Sequence, residues 1–204
     1  SSVRQGVRSI EQAFRNALNL KNEPETYRAS WGALVSRELW KAGRCRDPKL
    51  FEKVFRQDDS TVVVELLIDA SGSQSVRQAM VAMQSYMFSA ALSDIHIPHR
   101  VMSYCTFWDY TILHRFREYD DPRSANENIF NYVTSSNNRD GLAIRAAGYG
   151  LLMREEEKKI LIILSDGRPY DVVVNRPNAR NPQPYHGKYA ITDTAAQIRK
   201  LRSQ

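Results

Sequence analysis

Residues 61–74 read Thr61-Val-Val-Val-Glu65-Leu-Leu-Ile-Asp69-Ala-Ser71-Gly-Ser73-Gln74, and the fold turns on this stretch. Its apolar run, Val62 to Val64 and Leu66 to Ile68, is interrupted only by Glu65. A short run this rich in β-branched residues marks a strand buried on both faces, as in a parallel sheet. The run stops at Asp69, Ser71 and Ser73, with Gly72 between the hydroxyls to permit a tight turn. Open α/β sheets bind ligands at the C-terminal ends of their strands, so a carboxylate and two hydroxyls there make a candidate site. Such a set of oxygen donors suits a hard cation such as Mg²⁺. The alternative is a strand-to-helix turn in which Ser73 or Ser75 caps the helix and Asp69 bonds to amides. On residue types alone both readings stand.

Downstream, a helix is predicted from about Ser75 to Leu92, its first amides facing the same rim. Val76, Met80, Met83, Met87 and Ala91 keep helical spacing and read as its core stripe. Arg100–Phe107 and Thr111–Arg117 predict two further strands, and the short link FWDY makes them a hairpin. Ser124–Val133 reads as a short helix through Ile129, Phe130 and Val133, and Gly141–Met153 as a longer one whose small residues allow close packing. Lys159–Leu164 (KILIIL) is a second fully buried strand, closed by Ser165, Asp166 and Gly167. A loop with Pro169, Pro177, Pro182 and Pro184 leads to a last helix, about Thr192–Arg202, with Ala195, Ile198 and Leu201 inward. The order β-α-β-β-α-α-β-α predicts an α/β fold with a doubly wound, mostly parallel sheet and one antiparallel edge strand. Asp69, Phe107–Asp109 and Asp166 then meet on one rim.

Upstream, residues 7–20 place Ile10, Ala13, Phe14, Ala17 and Leu18 on one helical face. After the polar break at residues 21–30, a second helix is expected over about Trp31–Ala42, followed by a connector, Arg44–Ser60. Residues 1–60 are too poor in apolar side chains for an independent domain and read as a helical N-terminal extension to a domain at 61–204. The chain opens on Ser1, not methionine, which reads as a processed or excised piece of a longer protein.

Composition narrows the functions. The 204 residues are 42% hydrophobic and 25% charged, ordinary for a soluble globular protein. No segment approaches the ~18 consecutive apolar residues of a membrane span, and the first residues carry no apolar signal segment. Cys45 and Cys105 read as reduced thiols in a cytoplasmic protein. The net charge of +6 is spread among interleaved acids and bases, as in Arg154–Lys159 (REEEKK), so the surface fits an acidic protein partner better than nucleic acid. His96 and His99 (HIPH), even with Cys105, lie at the wrong end of the strand and lack a full zinc ligand set.

DASGS at Asp69–Ser73 resembles the DxSxS metal-ion-dependent adhesion site (MIDAS) of von Willebrand factor A (VWA) domains. NRDGLAI at Asn138–Ile144 is similar to that family's T-x-x-G-x-A-L/I loop, and LSDG at Leu164–Gly167 to its second strand end. The three pieces fall in family order, separated by helix-length segments, over roughly Val62 to Arg202. SDGRPYD, then GKYAITDT at Gly187–Thr194, is similar to the VWA domains of nitric-oxide-reductase activation proteins and of the cobaltochelatase CobT subunit, as is the preface with Leu39–Trp40 and Phe51. Measured against the family, the chain stops before a final strand and helix.

The resemblance implies a VWA/Rossmann-like fold holding Mg²⁺, or Mn²⁺ or Ca²⁺, with Asp69, Ser71 and Ser73 in or near the inner coordination sphere and Asp166 acting through water. The family's threonine is replaced by Asn138, whose amide oxygen can ligate a hard cation, and Asp140 is close enough to substitute. Gln74 stands where the family has methionine. The function implied is a metal-dependent protein-interaction module that docks a partner Asp or Glu, with a MoxR- or chelatase-type AAA+ ATPase as partner in remodelling or metal insertion. No G-x-x-x-x-G-K-[ST] loop is present, so ATP hydrolysis belongs to another chain. The competing reading is a metal-dependent hydrolase or phosphatase using Asp69. No histidine or lysine beside the rim motifs offers a base, and no G-x-S-x-G elbow exists, so the chain reads as a non-enzyme.

Overall fold

The computed structural model describes residues 2–18, 25–29, 33–34, 51–55, 62–107, 110–171 and 185–204. The chain divides into two compact units, Ser1–Glu11 with Ser60–Gln204, and Gln12–Asp59. In the smaller unit, strands β1 (Glu25–Ala29), β2 (Ala33–Leu34) and β3 (Phe51–Phe55) form an antiparallel sheet in the order β1-β3-β2. β2 lies inside the segment 31–42 expected to be helical. Leu34, Val35 and Leu39 are too few to separate a helical from a strand period, and pairing with β3 sets the conformation. The remainder of that segment, and the connector beyond Phe51–Phe55, lie outside the described residues, as do Cys45, Asp109 and the prolines at 177, 182 and 184.

In the larger unit the alternation read from the sequence is present. Strand β4 (Val62–Asp69) is followed by a 3₁₀ helix (Gly72–Arg77) and α2 (Gln78–Asp94), and then by β5 (His99–Phe107) and β6 (Tyr110–Arg117). A second 3₁₀ helix (Arg123–Asn131), α3 (Asp140–Leu152), β7 (Lys158–Leu164) and α4 (Gly187–Arg202) complete it. The sheet order is β6-β5-β4-β7; β4 runs parallel to β5 and β7, and β6 is the antiparallel edge. Every β4 residue is buried, as its apolar run requires. The pleat divides the core. Leu66, Ile68 and Val101 meet Ala82 of α2 with Ile129 and Tyr132. Leu67, Met102 and Tyr104 meet Ala143, Ile144 and Ala147 of α3 with Ile198 and Leu201 of α4. Each fully buried Leu or Ile contributes about 1.5–3 kcal/mol.

Further expectations change in the larger unit. The strand at Lys159–Leu164, expected to be fully buried, is only partly buried, at the end of the described sheet order. The methionine stripe is not the core face of α2: Val76 is 96% exposed and Met80 50%, while Ala82, Ser85, Ser89 and Leu92 are the buried ones. The sheet accepts the small side chains because they allow close approach. Met87 and Ala91, on the other face, pack against Val3, Val7 and Ile10 near the start of α1 (Ser2–Leu18). A Cβ on Gly6 would stand 2.7 Å from Met87 Sδ, so the glycine lets the two helices approach. The short helix expected at Ser124–Val133 is the 3₁₀ helix, with Ile129 buried and Phe130 and Val133 exposed.

Two buried polar clusters lie away from the rim. Glu65 is fully buried on β4; Arg100 Nε donates to both of its carboxylate oxygens at 2.9 and 3.1 Å, and Tyr119 Oη donates at 2.5 Å. Arg100 and Arg154 each lie 4.8 Å from the Tyr119 ring centre, stacking on it as cation–π pairs. Burial pushes the Glu65 carboxyl up to about 7, against the pull of Tyr119 and Arg100. On the α2 side, His99 Nδ1 donates to Ile97 O, its Nε2 pairs with Ser89 Oγ, and Ser89 Oγ lies against Asn126 Oδ1, each at 2.8 Å. Burial, then the Arg117 charge, pushes His99 down to about 4. With both ring nitrogens committed, His99 is no metal ligand.

Among the described residues no helix is long and apolar enough to cross a membrane.

Candidate functional site

β4 delivers Asp69 to the rim on the same pleat as Glu65 and Leu67, and so toward α3. Asp69 is fully buried. Its Oδ1 accepts the Ser71 backbone N–H at 2.8 Å; its Oδ2 accepts Ser165 Oγ at 3.1 Å and Asn138 Nδ2 at 3.4 Å. Its backbone carbonyl accepts Tyr132 Oη at 2.5 Å. The chain then turns against the middle loop: Gly72 N donates to Ser136 O at 2.8 Å, and Ser135 N to Ala70 O at 2.8 Å. A Cβ on Gly72 would come within 3.3 Å of that Ser136 oxygen, so glycine serves close approach here. Ser136 itself holds a left-handed φ of 55°.

The two serine hydroxyls are not helix caps. Ser71 occupies the N-cap of the 3₁₀ helix without a side-chain capping bond. Its Oγ lies 2.9 Å from Ser73 Oγ, and Ser73 Oγ donates to Asp166 Oδ2 at 3.1 Å. The helix expected to begin at Ser75 starts instead as this 3₁₀ turn, so α2 presents no first turn to the site. Asp166 follows β7, its Oδ1 accepting the Arg168 N–H at 3.1 Å, with Gly167 at a φ of 68°.

Asn138 and Asp140 stand on the α3 side of Asp69. The Asn138 Oδ1 accepts the Tyr170 backbone N–H at 3.1 Å, which fixes the amide so that Nδ2 points at Asp140 Oδ1 (2.8 Å) and Asp69 Oδ2. Asn138 therefore gives the two carboxylates a donor, where the sequence offered its oxygen as a ligand. Asp140, in the first turn of α3, also accepts Tyr104 Oη at 2.8 Å. All six residues singled out in the sequence, Asp69, Ser71, Ser73, Asn138, Asp140 and Asp166, are thus joined by hydrogen bonds. Four others were not singled out. Ser165 and Tyr132 hold Asp69, Tyr104 holds Asp140, and Tyr170 orients Asn138. Tyr104 is the β5 register partner of Asp69, a relation visible only once strand pairing is known.

Burial raises the carboxyls of both Asp69 and Asp140 above the usual range, Asp140 to about 6. Among the described residues neither makes an ion pair. No set of three or more His, Cys, Asp or Glu side chains forms a metal cage among those residues. The oxygens of the site are mixed, the Ser71 and Ser73 hydroxyls standing with the Asp69 and Asp166 carboxylates, Asp69 and Ser71 buried and Ser73 exposed.

The model of the cobalamin biosynthesis protein CobT VWA domain matches residues 120–196, the span carrying Asn138, Asp140 and Asp166. The uncharacterized protein YojO of Bacillus subtilis (strain 168) is 30% identical over a 146-residue alignment that covers 61% of this chain. The alignment covers 21% of YojO, so the chain spans about a fifth of that relative's length. These likenesses support a VWA-type domain.

Proposed function

We propose that this chain is a metal-dependent protein-interaction module whose MIDAS-type site docks a partner carboxylate. The carrying observation is the spacing of the oxygens. Octahedral Mg²⁺ at 2.0–2.1 Å from its ligands has neighbouring ligand oxygens about 3 Å apart. Ser71 Oγ to Ser73 Oγ is 2.9 Å, and Ser73 Oγ to Asp166 Oδ2 is 3.1 Å. The donors are hard oxygens, and Asp69 beside them is a buried carboxylate without a cation among the described residues, a costly arrangement that positive charge relieves. The residues therefore fit the ion. Asp69, Ser71, Ser73 and Asp166 would hold Mg²⁺, or Mn²⁺ or Ca²⁺, while Asn138 and Asp140 brace the set from behind. When bound, the ion supplies a Lewis-acidic position to which an incoming Asp or Glu can bind.

The chain's own part is orientation and burial. The Ser71 N–H, Ser165 and Asn138 hold the Asp69 carboxylate still, and the 3₁₀ turn places the buried Ser71 hydroxyl beside the exposed Ser73 hydroxyl. Among the described residues no histidine or lysine is hydrogen-bonded to the site residues, which favours docking over hydrolysis. The resemblance to the CobT VWA domain extends the proposal to a cytoplasmic adaptor for a chelatase- or MoxR-type AAA+ ATPase, acting in remodelling or metal insertion.

Thermal melting tests the site. Saturating Mg²⁺ at a hundredfold excess over Kd stabilises by about 2.7 kcal/mol, several degrees for a domain of this size. Asp69→Ala and the exposed Ser73→Ala should each abolish the shift, the second without altering the metal-free melt. A melting temperature indifferent to millimolar Mg²⁺ and Mn²⁺ sinks the metal site. ATPase capture that survives in Mg²⁺ and fails in EDTA supports the docking role, and capture indifferent to EDTA contradicts it.

A further inference from the structure

Asp171 lies five positions beyond Asp166 in the stretch SDGRPYD and touches none of the site oxygens described above, yet it is fully buried. Its carboxylate straddles the middle loop. Oδ1 accepts Asn137 Nδ2 at 3.1 Å, and Oδ2 forms an ion pair with Arg139 Nε, whose side chain is only 16% exposed. Asn137 and Arg139 flank Asn138. In an extended chain the side chains on either side of a residue point away from its own. Holding 137 and 139 toward Asp171 therefore turns Asn138 the other way, toward Asp69 and Asp140, where its Nδ2 is found.

The backbone reinforces the same arrangement. Asn138 N donates to Tyr170 O at 2.9 Å and Tyr170 N to Asn138 O at 3.1 Å, a two-residue antiparallel bridge next to Asp171. On the loop's other side Asn137 exchanges backbone bonds with Thr106 at the end of β5, at 2.7 and 3.1 Å, and Arg139 N donates to Thr106 Oγ1 at 3.1 Å. Asp171 N donates in turn to Tyr185 O at 2.8 Å, just before α4. The middle loop is thus gripped between the end of β5 and the segment leaving β7, and Asp171 is the charged part of the grip.

We infer that Asp171 is a positioning residue of the candidate site: by holding Asn137 and Arg139 it aims Asn138 at Asp69 and fixes the middle loop relative to the Asp166 loop. It acts through Asn138, with no contact to a bound ion or partner. This assignment rests on the proposed metal site for its effect on affinity, and on geometry alone for its effect on Asn138. Supports of this outer kind change metal affinity by about 10–100-fold when removed.

The test uses the whole chain as Asp171→Asn, which loses the charge facing Arg139, and as the neutralised pair D171N/R139Q. Two quantities are read: Mn²⁺ binding by electron paramagnetic resonance, and the side-chain amide signals of Asn138 in ¹⁵N–¹H spectra of the metal-free protein. The expected result is Mn²⁺ affinity at least tenfold weaker in D171N, and restored to within about threefold in D171N/R139Q. The Asn138 amide signals should shift in D171N and return in the pair. A general loss of stability would not be rescued by removing a second charge. Should D171N not fold, R139Q opens the same grip from its partly exposed side and should show the same two changes. If the wild-type chain binds no Mn²⁺, the metal site fails and the Asn138 signals alone decide Asp171. Asn138 signals unchanged in every folded variant overturn the inference.

Discussion

Gly150→Ala separates two opposing effects of similar size. Gly150 lies in the last turns of α3, where alanine has the higher helix propensity by about 1 kcal/mol. Judged by propensity alone, the change stabilises. A Cβ at this position, however, overlaps Arg100 Nη2 and stands 3.0 Å from Nη1 and 3.1 Å from Cζ. The guanidinium has nowhere to go cheaply, since its Nε is fixed on both oxygens of buried Glu65 and its plane rests on Tyr119. Overpacking of this kind costs about 1–3 kcal/mol, and displacement that breaks the buried pair costs about 3–5. The clash therefore wins, and G150A should be destabilised by about 1–3 kcal/mol in urea unfolding followed by circular dichroism. In an Arg100→Ala background the three atoms nearest that Cβ are gone, and the same substitution should be neutral or stabilising by about 1 kcal/mol. A G150A protein as stable as wild type, or one whose loss persists without Arg100, would refute the reasoning.

Two further outcomes follow from the buried polar groups. His99 has its folded pKa pushed below the unfolded 6.5 to about 4, so its contribution is intact above pH 6.5 and disappears as the pH falls. At 1.36 kcal/mol for each pH unit this reaches about 3 kcal/mol by pH 4, and H99Q should lack that slope in urea titrations run between pH 7 and 4. Tyr132→Phe removes the donor to the Asp69 carbonyl and should cost about 1–2 kcal/mol by the same unfolding assay; unchanged stability would contradict a structural role for this bond.

The parts of this fold legible in the sequence are those whose signal is local and one-dimensional. Val62–Ile68 is apolar without alternation because it is buried on both faces; Lys159–Leu164 is a strand at the expected position but only partly buried along its length, at the edge of the described sheet. The hairpin of β5 and β6 was equally plain. The core face of α2 was not, because large apolar residues mark a core only where there is room for them. Against β4 and β5 the helix needs Ala82, Ser85 and Ser89, which carry little hydrophobic signal, while Met87 packs toward α1 and Met80 is half exposed. At Ala33–Leu34 the pairing partner sits at Phe51–Glu52, and no window around residue 33 contains it. The site shows the same division. DASGS and LSDG sit at ends of obvious strands, whereas the orientation of Asn138 depends on a hydrogen bond from Tyr170, 32 positions away. Residue type offered an oxygen ligand there, and the network presents a nitrogen donor.

The placement of β4 between two parallel neighbours also bears on how the chain reaches its native state. Val62 pairs with Lys158, 96 positions later, and that separation holds along the ladder to Ile68 and Leu164. Parallel pairing over such a span closes a long loop before any contact rewards it, which makes it a slow, late step. Asp69 and Asp166 are carried to the rim by these same two strands, and the middle loop is held by the segment that leaves the second. The proposed docking surface would therefore be absent from every partly folded form in which β7 has not joined β4. On the proposed function, a partner reading this surface would engage finished domains and pass over nascent or damaged ones, so occupancy of the site would double as a report on completed folding.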